Sequence, residues 1–211
     1  GSLMGKMEAI VTTGGHFNAQ WFHALDPAKG TFQLPGNFCF PVHRWPENRQ
    51  GSAAAIEIAL YKPEIPPNTG NIVRLSYCSG NALHIIDRPA FSMDEAAVKR
   101  AGLDYWDEVD LTLHENWEAF LKSRQNRPGR IFALSRHAER LYTSVDFERS
   151  DLFLFGPETK GLPASIMEAL PRDQCLRIPV SGRCRSLNLA NAVAIVIYEA
   201  IRQLDSTERA G

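Results

Sequence analysis

Short apolar segments alternate with segments of helical spacing from residue 56 to the end of the chain. The apolar segments are four to six residues long and rich in Ile, Leu and Phe, a pattern typical of strands buried in a parallel sheet. Strands that alternate with helices predict an α/β fold, with a mostly parallel sheet covered by helices on both faces. The predicted strands span residues 56–61, 83–86, 130–134, 152–155 and 176–179, and the predicted helices span 71–79, 94–101, 116–122, 164–170 and 187–204.

Residues 1–55 lack this regularity. They hold seven Gly and four Pro, but also seven of the twenty aromatic residues. Because solvated tails are usually poor in aromatic residues, we expect this arm to pack in part against the body or a partner subunit. An accessory leader without chemistry is the alternative. The predicted organisation is an N-terminal extension, 1–55, whose first three residues resemble a cloning remnant, followed by one domain, 56–211.

Composition narrows the class of protein. Of 211 residues, 44% are hydrophobic and 22% charged, which excludes collagen-like, mostly disordered and disulfide-dense chains. The four cysteines form no C-x-x-C pair, so we expect no metal site of the zinc-ribbon type. The longest apolar run, 192–198, is too short to cross a membrane, and no secretory signal is evident. These features favour a cytoplasmic protein with reduced thiols.

The net charge of −1 hides an uneven distribution of charge. Residues 91–120 carry eight acidic and two basic side chains, whereas residues 121–140 carry six basic and one acidic. Residues 171–190 add four basic side chains against one acidic. Both basic segments adjoin predicted strand ends, where α/β sheets bind ligands. They indicate either solvated loops or a phosphate-facing patch.

Two polar segments follow predicted strands and contain Gly and Pro. In the first, PEIPPNTGNIVR at 63–74, we expect Asn68 to cap a helix and Arg74 to lie one or two turns inside it. The second, FGPETKGLP at 155–163, has glycines that permit a ligand to approach the main chain closely. It matches neither a P-loop nor G-x-G-x-x-G, which disfavours a nucleoside triphosphate or dinucleotide site.

A third polar segment, 178–193, joins the last predicted strand to the last helix. Ser186 is expected to cap this helix. Asn188 and Asn191 lie in an otherwise apolar helix start, where buried amides need hydrogen-bond partners, so we expect them to hold a loop in place.

In this order, the three segments resemble the three motifs of the SPOUT class of RNA methyltransferases. LYKPEIPPNTGN at 60–71, RAGLDY at 100–105 and FGPETKGLP at 155–163 further resemble the small tRNA (cytidine/uridine-34-2′-O)-methyltransferases. The resemblance covers residues 57–204. One departure is SRHA at 135–138, where the resemblance leads us to expect a TTKG-like turn and a tRNA contact; we expect His137 to be a surface residue.

The resemblance implies a SPOUT fold, in which the C-terminal part of the sheet forms a deep trefoil knot. It also implies S-adenosylmethionine as the cofactor, tRNA as the substrate, and a homodimer formed through the knot and the last helix. The residues that match the family's cofactor contacts are Leu134, Gly156, Ile178 and Ser186, with Leu187 adjoining them. The residues expected at the dimer interface are Ile197, Tyr198 and Ile201.

The implied reaction is in-line attack of a ribose 2′-oxygen on the sulfonium methyl group. Arg74 matches the catalytic arginine of the family. Because a guanidinium stays protonated, we expect Arg74 to position the nucleotide and stabilise the developing alkoxide, while a phosphate or water takes the proton. Asn68 and Asn188 are expected to order the loops around it, and Glu158 to orient backbone or substrate.

Two alternatives stay open at this point. One is a 2′-O-methyltransferase that acts on another tRNA position or on rRNA. The other is a non-catalytic RNA-binding protein with the same fold, which the presence of Arg74, Glu158, Ser186 and Asn188 disfavours.

Overall fold

The computed structural model describes residues 25–26, 31–32, 56–92 and 108–210. Within the N-terminal arm, β1 (Leu25–Asp26) pairs antiparallel with β2 (Thr31–Phe32), with Leu25 opposite Phe32. Two-residue strands are too short to show an alternating pattern, so the sequence did not predict them. The predicted helix at 94–101 lies outside the described residues.

The main body is a seven-stranded sheet in which every pairing is parallel. All five predicted strands are confirmed, within one or two residues at their ends. The order of the strands across the sheet is β5-β4-β3-β8-β6-β9-β7. Their bounds are β3 (Glu57–Tyr61), β4 (Ala82–Ile86), β5 (Leu111–His114), β6 (Ile131–Leu134), β7 (Arg140–Leu141), β8 (Leu152–Phe155) and β9 (Cys175–Arg177).

The central strands β3, β4 and β8 are buried on both faces, as their continuous apolar sequences predict. On one face, Phe120 and Ile166 pack against the sheet in a cluster with Ala59, Ile86, Leu152 and Leu154. Alternate residues such as Ile58, Leu83 and Phe153 are also fully buried and face the other side. Helices therefore cover both faces, as predicted.

The described part of the chain has four helices of at least six residues, of which three connect strands and the last follows β9, together with two short 3₁₀ turns, Tyr142–Ser144 and Arg172–Gln174. The first and last of these helices contact each other. The helices are α1 (Pro66–Ser79), α2 (Trp117–Arg124), α3 (Ala164–Ala169) and α4 (Leu189–Ala210).

The expected start of α1 at residue 71 was wrong, because the helix begins five residues earlier, at Pro66. Proline is well suited to the first helical turn, where its missing N–H loses no helical hydrogen bond. Asn68 therefore lies inside the helix and is not its cap; the cap position is Ile65, which offers no side-chain cap. The predicted end is confirmed, since Gly80 has a left-handed backbone with φ of 68°.

The expected cap of the last helix was also wrong. The helix begins at Leu189, and the side-chain oxygen of Asn188 accepts the N–H groups of Ala190, at 2.9 Å, and Asn191, at 3.3 Å. Asn188, rather than Ser186, is thus the N-cap.

One segment of chain passes across a strand of the sheet. β9 lies between β6 and β7, and only residues 135–139 join those two strands, so this segment crosses β9. The threaded knot that the resemblance implies stays a prediction, as does the division of the chain at residues 55 and 56.

The side chains of α4 revise the expected dimer interface. Ile197 and Ile201 are 0% and 6% exposed, and are buried within this chain. Tyr198 is 45% exposed, so among the three residues expected at the interface only its side chain reaches the surface.

Candidate active site

The loops that follow β3, β6, β8 and β9 meet at one edge of the sheet, the carboxyl edge, because the four strands are adjacent and parallel. This is the edge at which open α/β sheets bind ligands. A cleft opens there between the loops that follow β6, β8 and β9. All five residues predicted to contact the cofactor line this one cleft: Leu134, Gly156, Ile178, Ser186 and Leu187.

Gly156 is required by the loop itself. A Cβ atom at this position would lie 2.3 Å from the nitrogen of Leu162 and 2.5 Å from the carbonyl carbon of Gly161. The loop closes on itself through the N–H of Gly161, which donates to the oxygen of Pro157 at 2.9 Å. The sequence analysis assigned this glycine to close approach of a ligand, whereas the structure shows close approach of the loop's own backbone.

The rim of the cleft is basic. Arg136, Lys160 and Arg185 line it, so both basic segments of the sequence contribute to the same opening. His137 also lines the cleft and is exposed, as expected for a surface residue. The Nε of Arg136 donates to Nε2 of His137 at 3.0 Å, which places the proton of a neutral His137 on Nδ1.

Glu158 connects the cleft to the start of α1. Its carboxylate accepts the main-chain N–H groups of Glu64, at 2.8 Å, and Ile65, at 3.1 Å, which lie immediately before the helix. It also accepts the side-chain amide of Asn68 at 3.1 Å. A negative charge at a helix N-terminus is favourable, since the N–H groups there are otherwise unpaired. Glu158 thus orients backbone, as the sequence analysis expected.

A chain of amide hydrogen bonds extends this connection to α4. The Nδ2 of Asn188 donates to Oδ1 of Asn68 at 2.8 Å, and Nδ2 of Asn68 donates to Glu158. The Oδ1 of Asn188 is occupied by the N–H groups that it caps. The Glu158 carboxylate at one end of this chain can only accept hydrogen bonds, and the main-chain N–H groups at the α4 end can only donate them. Each of the two side-chain amides can therefore be oriented in only one way. The three motif segments, 120 residues apart at their extremes, are therefore joined.

A second connection joins the loop before α1 to the loop after β8, and here the acidic side chain belongs to the loop before α1. The carboxylate of Glu64 accepts the main-chain N–H of Thr159 at 2.9 Å and the hydroxyl of Thr159 at 2.7 Å. Both residues lie within the stretches that carry the family resemblance, 60–71 and 155–163, but no role was expected for them from the sequence. Their place in those stretches, directly after two strands, was the signal available.

Arg74 lies apart from these contacts. It is exposed on α1, two turns beyond Asn68, and is not among the residues that line the cleft. The structure places Asn68, Glu158 and Asn188 in direct contact, and Arg74 lies about two turns further along the helix that carries Asn68.

No group of His, Cys, Asp and Glu side chains in 56–92 or 108–205 could hold a metal ion. Within the same part of the chain, every helix is too short or too polar to cross a bilayer.

The sequence profile of the SpoU rRNA methylase family matches residues 55–198 of this chain. A tRNA (cytidine(34)-2′-O)-methyltransferase of Escherichia coli K12 is 48% identical over 149 residues, which are 71% of this chain and 94% of that protein.

Solved structures show the same similarity in three dimensions. A protein whose structure was solved to study 2-OH methylation of C/U34 on tRNA is 43% identical, with a TM-score of 0.68, over 73% of this chain and 99% of that one. A SpoU methyltransferase of Streptomyces viridochromogenes, in complex with the cofactor AdoMet, shares the fold with a TM-score of 0.66 at 24% identity, over 76% of this chain and 62% of that one.

Proposed function

The chain belongs to the SpoU rRNA methylase family, and from this premise we propose that it is a tRNA 2′-O-methyltransferase. The substrate is the ribose of cytidine or uridine at position 34, and the methyl donor is S-adenosylmethionine. The observation that carries the proposal is the hydrogen-bonded chain from Glu158 through Asn68 to Asn188, which joins three separate motif segments beside one cleft. Identity of 48% over 94% of a tRNA (cytidine(34)-2′-O)-methyltransferase supports the choice of substrate.

The lining of the cleft fits this cofactor. Leu134, Ile178 and Leu187 offer apolar surface for an adenine ring, and the main chain at these strand ends offers hydrogen-bonding groups that carry no charge. Ser186 adds a hydroxyl, and Glu158 adds a negative charge on the side of the cleft. When bound, the cofactor supplies an activated methyl group on a positively charged sulfur, which this carboxylate attracts.

The substrate is held by cations in this proposal. Arg136, Lys160 and Arg185 at the rim contact tRNA phosphates, which supports the phosphate-facing interpretation of the basic segments. Arg74, exposed on α1, positions the nucleotide and stabilises the negative charge that develops on its 2′-oxygen. The proton passes to water or to a phosphate, because a guanidinium cannot accept it.

A homodimer through the knot and α4 is part of the proposal. Tyr198 and its neighbour one helical turn earlier, Ile195, are 45% and 37% exposed, which is unusual for two large apolar side chains on one helix face. We place them at the interface, with Ile197 and Ile201 supporting them from inside the chain. We further propose that the protein acts in the cytoplasm, where tRNA is its substrate.

The test is methyl transfer from labelled cofactor to total tRNA of a strain lacking this gene, followed by mapping of the labelled nucleotide and calorimetry with the cofactor alone. Label at position 34 supports the proposal. Label elsewhere in tRNA, or in rRNA only, supports the first alternative. Cofactor binding without transfer to any RNA supports the non-catalytic alternative. In this assay Arg74→Ala is expected to lower kcat by about 10²–10³-fold, while Arg149→Ala, at an exposed arginine just before β8 and outside both basic segments, serves as the matched control.

A further inference from the structure

We propose that Glu64 is a positioning residue for methyl transfer and that it acts through Thr159. The inference rests on the proposed function. Glu64 does not line the cleft, and its two carboxylate oxygens accept hydrogen bonds from Thr159, so its effect on the reaction is indirect.

The contact is reciprocal. The main-chain N–H of Glu64 donates to the carboxylate of Glu158, while the carboxylate of Glu64 accepts the main-chain N–H of Thr159, the next residue. Each loop thus provides one acidic side chain to the other, and it receives main-chain N–H groups in return. The hydroxyl of Thr159 adds a third hydrogen bond, at 2.7 Å. Two loops separated by 95 residues of chain are held at a defined distance.

The two loops carry different parts of the site. The loop that contains Thr159 lines the cleft, from Gly156 to Leu162. The loop that contains Glu64 leads into α1, which carries Asn68 and Arg74. The distance between the cleft and Arg74 therefore depends on how these loops are joined.

Glu158 alone leaves this junction incomplete. The carboxylate of Glu158 holds the start of α1. Residues 159–161, which follow Glu158, are joined to the loop before α1 through the contact between Thr159 and Glu64. In-line transfer requires donor and acceptor to be aligned, and a misplacement of about 1 Å costs roughly 100-fold in rate. Loss of the Glu64–Thr159 contact should thus lower the rate of transfer far more than it lowers cofactor affinity, because the strand ends that line the cleft stay in place.

The experiment compares kcat, the KM for tRNA and the Kd for S-adenosylmethionine in single variants of the full chain. Glu64→Ala is expected to lower kcat by about 10–100-fold, with the Kd for the cofactor changed by less than about threefold. Thr159→Val, which keeps the main-chain N–H but loses the hydroxyl, is expected to lower kcat by a smaller factor. Thr159→Ser is expected to restore it, because serine keeps both donors. Glu115→Ala, an exposed glutamate after β5, is the matched control and should behave as wild type.

The double variant Glu64→Ala/Thr159→Val separates a shared contact from two independent ones. If both residues act through one contact, the double variant is no slower than Glu64→Ala. The proposal would be overturned if the rate loss of the double variant equalled the product of the losses in the two single variants. It would also be overturned by a Glu64→Ala variant with unchanged kcat, or by a Thr159→Ser variant as slow as Thr159→Val.

Hydrogen exchange tests the contact without reference to catalysis. In Glu64→Ala the amide of Thr159 should exchange at least tenfold faster than in wild type, while amides in β3 and β8 keep their protection. Unchanged protection of Thr159 would overturn the proposal even in an active enzyme. Wild-type protein that transfers no methyl group to tRNA would instead refute the proposed function, and the exchange measurement would still decide whether Glu64 holds the loop.

Discussion

The two edges of the sheet hold their buried or half-buried acidic residues in different ways. At the amino edge, where the strands begin, Glu57 and Asp151 are paired with guanidinium groups: Arg124 lies 2.7 Å from Glu57, and Arg130 lies 2.7 Å from Asp151. At the carboxyl edge, Glu64 and Glu158 accept hydrogen bonds from main-chain N–H groups, one amide and one hydroxyl. The pairs at the amino edge therefore join opposite charges, whereas Glu64 and Glu158 are held by neutral donors. At the same carboxyl edge, Asp87 is paired with Lys62 at 3.0 Å.

The Arg124–Glu57 pair at the amino edge is buried on both sides, whereas in the second pair only Asp151 is buried and Arg130 is half-buried. Burial alone would raise the pKa of Glu57, but a hydrogen bond from His84 and the charge of Arg124 outweigh it and lower that pKa. His84 donates or shares a proton with Glu57 at 2.7 Å and contacts His114 at 3.1 Å on its other side. Burial, followed by the charge of His84, lowers the pKa of His114. None of these residues lines the cleft, so this cluster stabilises the fold rather than serving the site.

The cation-paired residues Glu57 and Asp151 lie away from the cleft, whereas Glu158, which is held by neutral donors, lines it. A carboxylate that is already bound to a guanidinium contributes little to the potential in a cleft. Glu158 makes its hydrogen bonds to neutral donors beside the cofactor cleft, and Arg136 and Arg185 line the same cleft.

The largest expected effect is a loss of folding stability when a cation is removed at the amino edge. Arg124→Met should reduce the free energy of unfolding by about 3–5 kcal/mol, because it removes the nearest guanidinium from the buried carboxylate of Glu57 and leaves the more exposed Arg127, at 3.8 Å. Chemical denaturation measures this loss, and the kcat of the folded fraction should not change. Adding Glu57→Gln should recover part of the stability, since no uncompensated charge then remains. A single variant within about 1 kcal/mol of wild type would contradict the structural role of the pair.

The second effect is on the carboxyl edge and should appear in activity. Glu158→Ala should lower kcat by about 100-fold, through misplacement of α1, while the free energy of unfolding falls by only about 1–3 kcal/mol. Glu158→Gln, which keeps one acceptor oxygen, should lie between it and wild type. Glu168→Ala, an exposed glutamate on α3, is the control. A full-speed Glu158→Ala variant would show that the charge at this edge has no functional role.

A smaller effect distinguishes Asn188 from Ser186. Asn188→Ala should cost about 1 kcal/mol of stability through loss of the helix cap, and it should also slow transfer because Asn68 loses its partner. Ser186→Ala should leave thermal stability unchanged and weaken cofactor binding instead. Equal losses of stability in the two variants would favour the cap originally expected from the sequence.

The smallest effect is a dependence on pH. Because the pKa of Glu57 is lower in the folded state than in the unfolded chain, its contribution to stability is present above its ordinary pKa of 4.5 and is lost as the pH falls through the lower folded value. Acid unfolding followed by circular dichroism should therefore be less steep below pH 4.5 in Glu57→Gln than in wild type. Identical slopes would mean that other carboxylates dominate the acid transition.

Local patterns predicted the elements whose surroundings are uniform. The strands at the centre of the sheet have continuous apolar sequences, and the sequence located them to within two residues. β5 was missed because it lies at an edge of the sheet and exposes both polar and apolar residues, with Leu113 61% exposed. β7 was missed because it has only two residues, which are too few to show the alternation of apolar and polar positions typical of a strand. The start of α1 was misplaced because prolines that usually end helices also begin them.

The candidate site divides in the same way. Leu134, Gly156 and Ile178 were named from the resemblance to the family. Their positions at or beside the ends of apolar strands agree with it, because parallel strands bring such ends to one edge. The caps could not be assigned correctly, since Ser186 and Asn188 are both good capping residues and only the hydrogen bonds show which one is used.

By itself, the sequence of this protein determined the kind of each long element that the structure describes and the edge of the sheet at which the cleft opens, because hydrophobic periodicity and turn residues act over a few neighbouring positions. Only the tertiary structure decided the order of the strands, the pairing of Glu64 with Thr159, and the burial of Ile197 and Ile201. Contacts between residues 90 or more positions apart leave no local pattern, since each partner satisfies its own neighbourhood whether or not the other is present.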